Sequence, residues 1–405
     1  MTNPLDGVRV VELGTFVVAP SCAAALADWG ADVVKIEHPS AGDPARYVAA
    51  WGVPALVDDV GYIFEFSNRS KRSVTIDVAH PEGYEVFLRL IASADVFVTN
   101  LLPAARRKLR IEPDQLMAHN PRLIYGRVSG QGIRGPQAEM GGFDAMTYWA
   151  RSSASMSVTP GDYPYPLAMP GPGFGDVQTG MNLAGGIGTA LYLREKTGTG
   201  HVVDVSLLAS GIWQMGLTLL GASLTGRDML AQQSHFDIQN PVVNTYRTSD
   251  GFFIQLVFLQ SDRYWPEFCL TVGKEDWLGD ERFVDADARA ANAEACILLL
   301  DELFSRYTLA EWTEILNRQR GQWDIVNTPG RVLHDADAIA NGYLHRVEHD
   351  GTAVITLATA PVQFGEESAT PRRAPKLGAH TEEVLTELGV SSEERARLRD
   401  AEVTG

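Results

Sequence analysis

Short apolar segments alternate with longer amphipathic segments along the first half of the chain. About four to eight apolar residues suit a buried strand, whereas an apolar stripe repeated over about ten or more residues suits a helix. Strands that are apolar on both faces and separated by helices are typical of a parallel sheet covered by helices on both sides. The predicted strands are residues 8–13, 32–36, 73–78, 95–98 and 123–128, and the predicted helices are 19–29 and 80–94.

The second half of the chain shows a different pattern. Residues 227–335 read as a second domain that starts with a hairpin, because Ser-Asp-Gly at 249–251 separates two apolar runs. The chain as a whole therefore predicts an α/β fold with two domains. The other predicted elements are a helix from 176 to about 195, a buried strand-helix unit over 202–224, hairpin strands at 243–247 and 252–258, a strand at 352–357 and a closing helix near 381–388.

Composition narrows the class of protein. A net charge of −17 over 405 residues argues against a nucleic-acid binder, since such proteins need clustered Lys and Arg to meet phosphates. The hydrophobic fraction of 45% and charged fraction of 21% are ordinary for a soluble globular protein. The apolar stretch 202–224 is interrupted by Asp204 and Gln214, which favours a buried strand and helix over a membrane span.

The cysteines and the N-terminal segment bear on the compartment. Cys22, Cys269 and Cys296 are far apart and show no metal-ligand spacing, so we predict packing residues in a reducing environment and no metal site. The N-terminal residues lack a basic segment followed by an apolar one, which predicts no signal peptide. We therefore expect a cytoplasmic protein with neither a nucleic-acid nor a membrane partner.

Asp176 is the sharpest local candidate for chemistry. It lies in the run Gly-Asp-Val-Gln-Thr-Gly at 175–180, where a Gly/Pro-rich segment becomes a helix. Local sequence alone favours an N-cap, whose carboxylate accepts backbone N–H bonds. The alternative is a nucleophile, with glycines on either side that let a bulky thioester approach and helix N–H groups that stabilise an oxyanion. Both interpretations can hold.

Basic residues offer a second candidate. Arg106, Arg107, Lys108 and Arg110 form the densest basic cluster, which is either a solvated helix face or a phosphate-binding patch. The basic pair at 71–72 has the same two interpretations. Gly-Gly-Ile-Gly-Thr-Ala at 185–190 lies inside a helical pattern and not after a strand, so close helix packing explains it better than a dinucleotide loop.

Several segments, in order along nearly the whole chain, resemble the family III CoA transferases, the CaiB/BaiF type that includes formyl-CoA and 2-hydroxyacyl-CoA transferases. The resemblance implies that Asp176 is the nucleophile, which forms an aspartyl mixed anhydride and then an aspartyl-CoA thioester. The segments are Pro-Leu-Asp-Gly-Val-Arg-Val-Val-Glu at 4–12, Ala-Asp-Val-Val-Lys-Ile-Glu at 31–37, Gly-Asp-Pro-Ala-Arg at 42–46, Asn-Arg-Ser-Lys-Arg-Ser-Val-Thr-Ile-Asp at 68–77, Asn-Pro-Arg-Leu-Ile-Tyr at 120–125, the Asp176 run, Asp-Val-Ser-Leu at 204–207 and Gly-Ala-His-Thr-Glu-Glu-Val-Leu at 378–385.

The resemblance also implies an architecture and a set of ligand contacts. It implies an interlocked homodimer, a Rossmann-like large domain (1–226 and 336–405) and a smaller α+β domain (227–335). It implies no tightly bound cofactor, with acyl-CoA and a carboxylic acid as substrates and Lys108 reaching a CoA phosphate. The residues that match segments lining the CoA and acyl site are Val17, Val18, His38, Ile76, Ala79, Asn100, Leu101, Leu102, Lys108, Phe143 and Asp144.

Departures from the family pattern keep alternatives open. Leu101 follows Asn100 where the family often has Arg, and His38 stands where formyl-CoA transferase has Arg. A glycine-rich loop is absent around residues 232–244, which argues against oxalate or formate as substrate. Phe143 occupies the position of a catalytic His in the related α-methylacyl-CoA racemases, and a two-base racemase needs a base on each face of its substrate. A racemase or isomerase, and a non-catalytic CoA-binding protein, are the remaining alternatives.

Overall fold

A six-stranded parallel sheet forms the centre of the larger part of the molecule. The computed structural model describes residues 3–50, 52–161, 163–228, 234–349 and 353–405. The strand order is β3-β2-β1-β4-β5-β6, and every neighbouring pair is parallel. The strands are β1 (Arg9–Glu12), β2 (Asp32–Glu37), β3 (Arg72–Thr75), β4 (Val96–Thr99), β5 (Ile124–Ser129) and β6 (Val202–Ser206).

Two apolar cores, one on each face of this sheet, explain why the strands are apolar throughout. Successive residues of a strand point to opposite faces. Val10 accordingly belongs to one core with the first helix of the chain, whereas Val11 belongs to the other core with Phe97. The alternation of strands and covering helices that the sequence predicts is therefore confirmed.

Helices cover the sheet and connect its strands. The α-helices of the first 230 residues are α1 (Val18–Asp28), α2 (Tyr62–Asn68), α3 (Pro81–Ala92), α4 (Pro103–Leu109), α5 (Pro113–His119), α6 (Ala154–Val158), α7 (Phe174–Thr197), α8 (Leu207–Gln214) and α9 (Gly216–Thr225). Two shorter elements are a 3₁₀ helix at Pro44–Tyr47 and a π-helical segment at Ala145–Ala150.

The remaining elements lie in residues 234–405. The strands are β7 (Thr245–Arg247), β8 (Phe253–Leu256), β9 (Trp323–Ile325), β10 (Leu344–His349) and β11 (Ala353–Ala358). The helices are α10 (Ser261–Thr271), a 3₁₀ helix at Glu275–Gly279, α11 (Ala286–Ala291), α12 (Ala293–Phe304), α13 (Leu309–Leu316), α14 (Pro329–Val332), α15 (Ala336–Ala340), α16 (Thr381–Glu387) and α17 (Ser392–Asp400).

The chain divides into two compact units. The first comprises Met1–Val158, Tyr165–Leu230 and Ala336–Gly405, and the second comprises Thr159–Pro164 and Ala231–Asp335. The second unit has its own antiparallel sheet, β7-β8-β9, and its own aromatic core around Trp265 and Trp312. The hairpin predicted through residues 249–251 is confirmed by the β7–β8 pairing.

One expectation about elements is wrong, and one is confirmed but incomplete. The unit over 202–224 has the predicted strand followed by helices, but it is not buried in this chain: Trp213, Leu217 and Leu224 are 81%, 88% and 77% exposed. The tail holds more structure than predicted, because β10 pairs with β11 and α17 follows α16. The first residue of the predicted strand 352–357 lies outside the described residues, as do 232 and 233 of the loop expected to lack glycines.

Helices α8 and α9 are apolar and partly exposed. In the described part of the chain, no single helix is long and apolar enough to cross a membrane, but α8 and α9 together pass that test by length and composition. They meet at an angle of 65°, around the break at Met215.

Candidate active site

Asp176 lies in the first turn of α7, the longest helix in the described residues. Gly173 is the N-cap and has φ of +73°, which places Asp176 three positions into the helix. The prediction that Asp176 caps the helix is therefore wrong, although the helix does begin at the Gly/Pro-rich segment. The side chain of Asp176 is half-buried, and its backbone carbonyl oxygen lies 3.5 Å from Ser21 Oγ of α1.

Asp144 brings a second carboxylate to Asp176. It precedes the π-helical segment, it is buried, and its Oδ1 accepts a hydrogen bond from the Ala145 N–H at 2.8 Å. Burial raises the pKa of Asp144. Backbone N–H groups, including those of Gly175 and Asp176, lower it, but burial is the larger effect. Among the described atoms its Oδ2 has no hydrogen-bond partner.

This environment makes Asp176 an unusual carboxyl group. Burial, followed by repulsion from the Asp144 carboxylate, raises the pKa of Asp176 from 3.8 to about 8. Two carboxylates in a poorly solvated site cannot both ionise freely, so the pair holds a proton at neutral pH. Perturbed acids of this kind are concentrated at functional sites.

The glycines beside Asp176 have a packing role. A Cβ on Gly175 would lie 2.5 Å from Cγ of Tyr148. A Cβ on Gly180 would lie 2.2 Å from Ser21 Oγ and 2.8 Å from the carbonyl oxygen of Val18, so α7 and α1 approach backbone to backbone. These glycines therefore allow α7 to pack closely against its neighbours. Sequence reasoning had instead explained them by the access that a thioester needs. In the run 185–190, Gly186 packs against Val203, as expected, while Gly185 and Gly188 face open space.

The loop between β1 and α1, residues 14–17, lies beside Asp176 and is held from several sides. Asn100 accepts a hydrogen bond from the Thr15 N–H at 2.9 Å and donates one to the Thr15 carbonyl at 2.8 Å. Asp43 Oδ1 accepts from the Phe16 N–H at 3.0 Å, and Phe16 has φ of +62°, a region that side-chain-bearing residues rarely adopt. The side-chain amide of Asn100 thus holds the loop in place. The family resemblance had implied that Asn100 contacts CoA.

Buried charges lie under the same loop, and we call Glu12, Lys35, Asp43 and Lys71 the ionic cluster. Lys35 Nζ contacts Glu12 Oε1 at 2.7 Å, Asp43 Oδ2 at 2.9 Å and the Gly14 carbonyl at 3.0 Å. Lys71 Nζ contacts Glu12 Oε2 at 2.6 Å and the carbonyl of Pro20, in α1, at 2.8 Å.

Charge pairing keeps the ionic cluster ionised in spite of burial. Burial opposes the charge on Glu12, but Lys35 and Lys71 outweigh it and hold the pKa of that carboxyl below its ordinary value. Burial lowers the pKa of Lys71 to about 8. Lys71 is thus committed to the interior, and Arg72 pairs with Asp32, Glu383 and Glu387, so the phosphate interpretation of the pair 71–72 is wrong.

Among the described contacts of the basic cluster near α4, three of the four basic side chains have a partner within the protein. Arg106 pairs with Glu112, Arg107 pairs with Glu139, and Arg110 lies 3.8 Å over the ring of Tyr84. Lys108 is exposed and, within the described residues, has neither an ion pair nor a hydrogen bond. Of the four basic residues, Lys108 remains available to an external phosphate.

Several of the predicted ligand residues lie together at the carboxyl ends of β1 and β4. Val18 and residues 100–102 line one narrow cleft, with Gly142 opposite. Leu102 is exposed, whereas Val18 is buried and Leu101 is half-buried. Phe143 is exposed and packs edge-on against Phe16 with ring centroids 5.9 Å apart.

The other predicted residues lie on the β2–β3 side of the sheet edge. His38 follows β2, is exposed, and its Nδ1 is 3.1 Å from Ser40 Oγ. Ala79 is exposed. Ile76 is 2% exposed and belongs to the core with Val74, so its side chain cannot line a ligand site. The prediction that the segment containing Ile76 lines the CoA site stays a prediction, and only the backbone of Ile76 is available for it.

A large apolar cavity next to the first turn of α7 is the feature that sequence reasoning missed. Its volume is about 790 Å³. The only local signal was the Gly/Pro-rich segment 163–175, which supplies part of the wall. The lining residues are Val17, Tyr62, Ile63, Phe66, Ser67, Tyr148, Trp149, Ala154, Val158, Pro170, Pro172, Gly173, Phe174, Val177, Gln178, Gln214 and Met215.

Within the residues that the structure describes, no group of three or more His, Cys, Asp or Glu side chains is arranged to hold a metal ion. The three cysteines are buried free thiols.

Comparison with known proteins identifies the enzyme family to which the chain is similar. Residues 5–381 match the model of CoA-transferase family III. The chain is 36% identical over 403 residues to (R)-2-hydroxy-4-methylpentanoate CoA-transferase of Clostridioides difficile, covering 98% of this chain and 99% of that protein. It is 30% identical over 400 residues to cinnamoyl-CoA:phenyllactate CoA-transferase of Clostridium sporogenes, covering 98% and 96%.

A solved structure supports the same conclusion. The fold is similar to that of a CaiB/BaiF family protein from Brucella suis, with a TM-score of 0.82 and 28% identity over 96% of this chain and all of the other. These matches span nearly the full length of this chain and of each matched protein. They therefore cover the sheet, α7 and the tail together. The chain therefore belongs to CoA-transferase family III, and it is an enzyme that transfers CoA between an acyl-CoA and a carboxylic acid.

Proposed function

We propose that Asp176 is the nucleophile of this CoA transferase. The observation that carries the proposal is its half-buried carboxyl, in the first turn of α7 beside Asp144, with its pKa raised to about 8. A raised pKa makes a carboxylate more basic and, once ionised, more nucleophilic. Poor solvation adds to this, because fewer water molecules must be removed before attack.

The proposed reaction needs neither a net proton nor a metal. An Asp176 oxygen attacks the thioester carbonyl carbon of the donor; the C–O bond forms, the C–S bond breaks, and CoA leaves as a thiolate. The thiolate then attacks the Asp176 carbonyl of the mixed anhydride, which releases the donor acid as a carboxylate and leaves an aspartyl-CoA thioester. The acceptor carboxylate reverses both steps, and the new acyl-CoA departs with Asp176 regenerated.

Substrate contacts at the sheet edge follow from the positions of the predicted residues. We propose that Lys108 binds a phosphate of CoA, which its exposure and lack of an internal partner support. Val17 and Val18, at the start of α1, and residues 100–102 would flank the CoA chain beside Asp176. His38 and Ala79, both exposed, would contact CoA on the β2–β3 side. Asn100 would contribute by holding Thr15.

The proposed assembly is a homodimer, interlocked as the family resemblance implies. Supporting it, α8 and α9 expose Trp213, Leu217, Leu220 and Leu224, and a contiguous apolar surface of this kind marks an interaction site. In detergent-free buffer we expect sedimentation at the mass of a dimer, shifted towards the monomer by Leu217→Glu. Monomeric wild-type protein would contradict the assembly.

The nucleophile is tested with Asp176→Ala. Wild-type enzyme incubated with an acyl-CoA and hydroxylamine is expected to gain a hydroxamate at Asp176, detected by peptide mass spectrometry, and Asp176→Ala should lose CoA exchange by at least about 10³-fold. Asp114→Ala is the matched control, since Asp114 is an exposed acid in the first turn of another helix, α5. Full exchange activity in Asp176→Ala would exclude the mechanism.

A further inference from the structure

The apolar cavity beside α7 carries information about the acyl group. It is bounded by α2, through Tyr62 and Ile63, and by the segment 170–174 that leads into α7. At about 790 Å³ it falls in the range of cavities that bind small organic ligands, about 300–1,000 Å³. Sites of that size bury most of a branched or aromatic group.

The cavity adjoins the nucleophile on several sides. Gly173 and Val177, which lie three residues before and one residue after Asp176, line it. Tyr148 also lines it and packs against Gly175. Val17, from the loop beside Asp176, lines it as well. An acyl group bonded to Asp176 therefore has a partly enclosed apolar space next to it.

Charge decides which acyl groups suit this space. Among the described residues, the lining contains Tyr, Gln and Ser side chains but no Asp, Glu, Lys, Arg or His. A carboxylate at the far end of a dicarboxylic acyl group would lose its water there without gaining a cationic partner. An unpaired buried charge of this kind carries a penalty of several kcal/mol, as a general magnitude.

One polar group in the wall lacks a partner. The Ser67 side chain lines the cavity and is fully buried, and within the described part of the chain its Oγ has no hydrogen-bond partner. The Tyr62 hydroxyl, in contrast, donates to the Ala50 carbonyl at 3.0 Å. Ser67 can thus satisfy a single uncharged polar substituent, such as a hydroxyl, on an otherwise apolar acyl group.

We infer that this cavity is the acyl-group subsite, and that it selects monocarboxylic acids with a branched aliphatic or aromatic tail over dicarboxylic acids. The inference rests on the proposed function, since it assumes acyl transfer at Asp176. It identifies the walls of the cavity as specificity determinants and Ser67 as the position for one hydroxyl.

Self-exchange provides the test, because it uses one acyl group as both donor and acceptor. Each acyl-CoA is mixed with its own ¹³C-labelled acid, and label transfer into the CoA ester is followed by mass spectrometry. For 4-methylpentanoate and 3-phenylpropanoate we expect kcat/KM at least about 10²-fold above that for succinate and glutarate. Equal or faster exchange with the dicarboxylates would overturn the inference while leaving the nucleophile intact. Loss of exchange with every acid would instead count against the proposed function.

Ile63→Trp narrows the cavity from the α2 side. We expect kcat/KM for the two large acyl groups to fall at least about tenfold relative to acetate self-exchange, which also reports a folded enzyme. Ile339→Trp is the matched control, because Ile339 is exposed in α15 and does not line the cavity. Equal effects on acetyl and large acyl groups would contradict the assignment.

A second variant tests the charge argument by gain of function. Gln178→Arg places a cation on the cavity wall at an exposed position of α7. We expect succinate self-exchange, normalised to acetate self-exchange, to rise at least about tenfold, since the tail carboxylate gains a partner. No gain for succinate in a folded, acetate-active variant would contradict the role of charge in selection.

Discussion

The apolar cavity and the ionic cluster share the loop of residues 14–17 and are built on opposite principles. The cavity has no charged residue among its described lining residues, whereas the ionic cluster pairs each of its buried charges with an opposite charge. Val17 from the loop lines the cavity, while the Gly14 carbonyl and the Phe16 N–H are held by the cluster. The cluster fixes the loop, and the cavity is free to vary with the ligand.

This difference indicates that the cavity side of the loop tolerates amino-acid substitutions better than the side of the ionic cluster. Breaking a buried charge pair leaves an uncompensated ion, which is strongly destabilising. Changing an apolar wall residue alters volume and therefore mainly alters which ligand fits. We expect substitutions under the loop to appear as stability defects and substitutions in the cavity to appear as altered substrate preference.

The largest effect is expected from Glu12→Gln. The change keeps the side-chain volume but leaves Lys35 and Lys71 without their shared carboxylate, so we expect a loss of about 3–5 kcal/mol in the free energy of unfolding. Urea unfolding followed by tryptophan fluorescence measures it. Glu195→Gln, which breaks an exposed pair with Arg122, is the control and should lose at most about 1 kcal/mol.

A double variant separates lost charge balance from lost packing. In Glu12→Gln, Lys35 keeps its ion pair with Asp43, whereas Lys71 loses its carboxylate partner. Adding Lys71→Met removes that unpaired cation, so the double variant should be more stable than Glu12→Gln alone. A double variant that is less stable than the single one would mean that packing, and not charge balance, dominates the ionic cluster.

The ionic cluster also shows where prediction from sequence ends. The strands were predictable because a two-faced apolar run is a local signal, and Asp176 was found because its motif is contiguous. Glu12 meets Lys35 across 23 residues and Lys71 across 59, so no spacing along the chain indicates the contact. Sequence reasoning missed α17 because its surface is almost wholly polar; among its described residues only Leu398 is buried.

The cavity was hidden from sequence for a related reason. Its wall joins α2, the π-helical segment, residues 170–174 and Met215, and only the fold brings these together. The N-cap expectation for Asp176 failed because Gly173 can adopt a left-handed conformation and start the helix earlier. The sequence therefore singled out Asp176 and Asp144, but it did not show the burial that is the larger cause of the raised pKa of Asp176.

An intermediate effect is expected from Asp176→Asn on the pH dependence of stability. The pKa of Asp176 is raised, so the folded chain holds this proton more tightly than the unfolded chain; the resulting stability is complete below about pH 4 and is lost as the pH rises through about 8. Asn abolishes the titration, so the stability of the variant relative to wild type should increase from pH 5 to pH 9, by about 2 kcal/mol for this partly solvated group. Urea unfolding at both pH values measures the difference, and parallel curves for the two proteins would refute the raised pKa.

The same titration should govern the first half-reaction. Its rate should rise as the pH increases through about 8, because only the ionised Asp176 attacks. Asp144→Asn removes the repulsion from that carboxylate, so the midpoint should move to lower pH but stay above 3.8, since burial is the larger cause. Single-turnover release of CoA thiol across pH 5–10 measures the midpoint, and an unchanged midpoint in Asp144→Asn would exclude coupling between the two acids.

The smallest change in stability is expected at Phe16, in the loop that the apolar cavity and the ionic cluster share. Phe16 has φ of +62°, and its ring packs on Phe143 while its N–H is held by Asp43. Phe16→Gly relieves the backbone but loses the ring contact and adds freedom to the unfolded chain, so we expect a net change within about 1 kcal/mol. Phe16→Ala keeps the strain and loses the contact, which should make it less stable than Phe16→Gly in urea unfolding. If Phe16→Ala were instead the more stable variant, the left-handed conformation would not be imposed by the ionic cluster, and the rigidity of the loop would have to come from Asn100 alone.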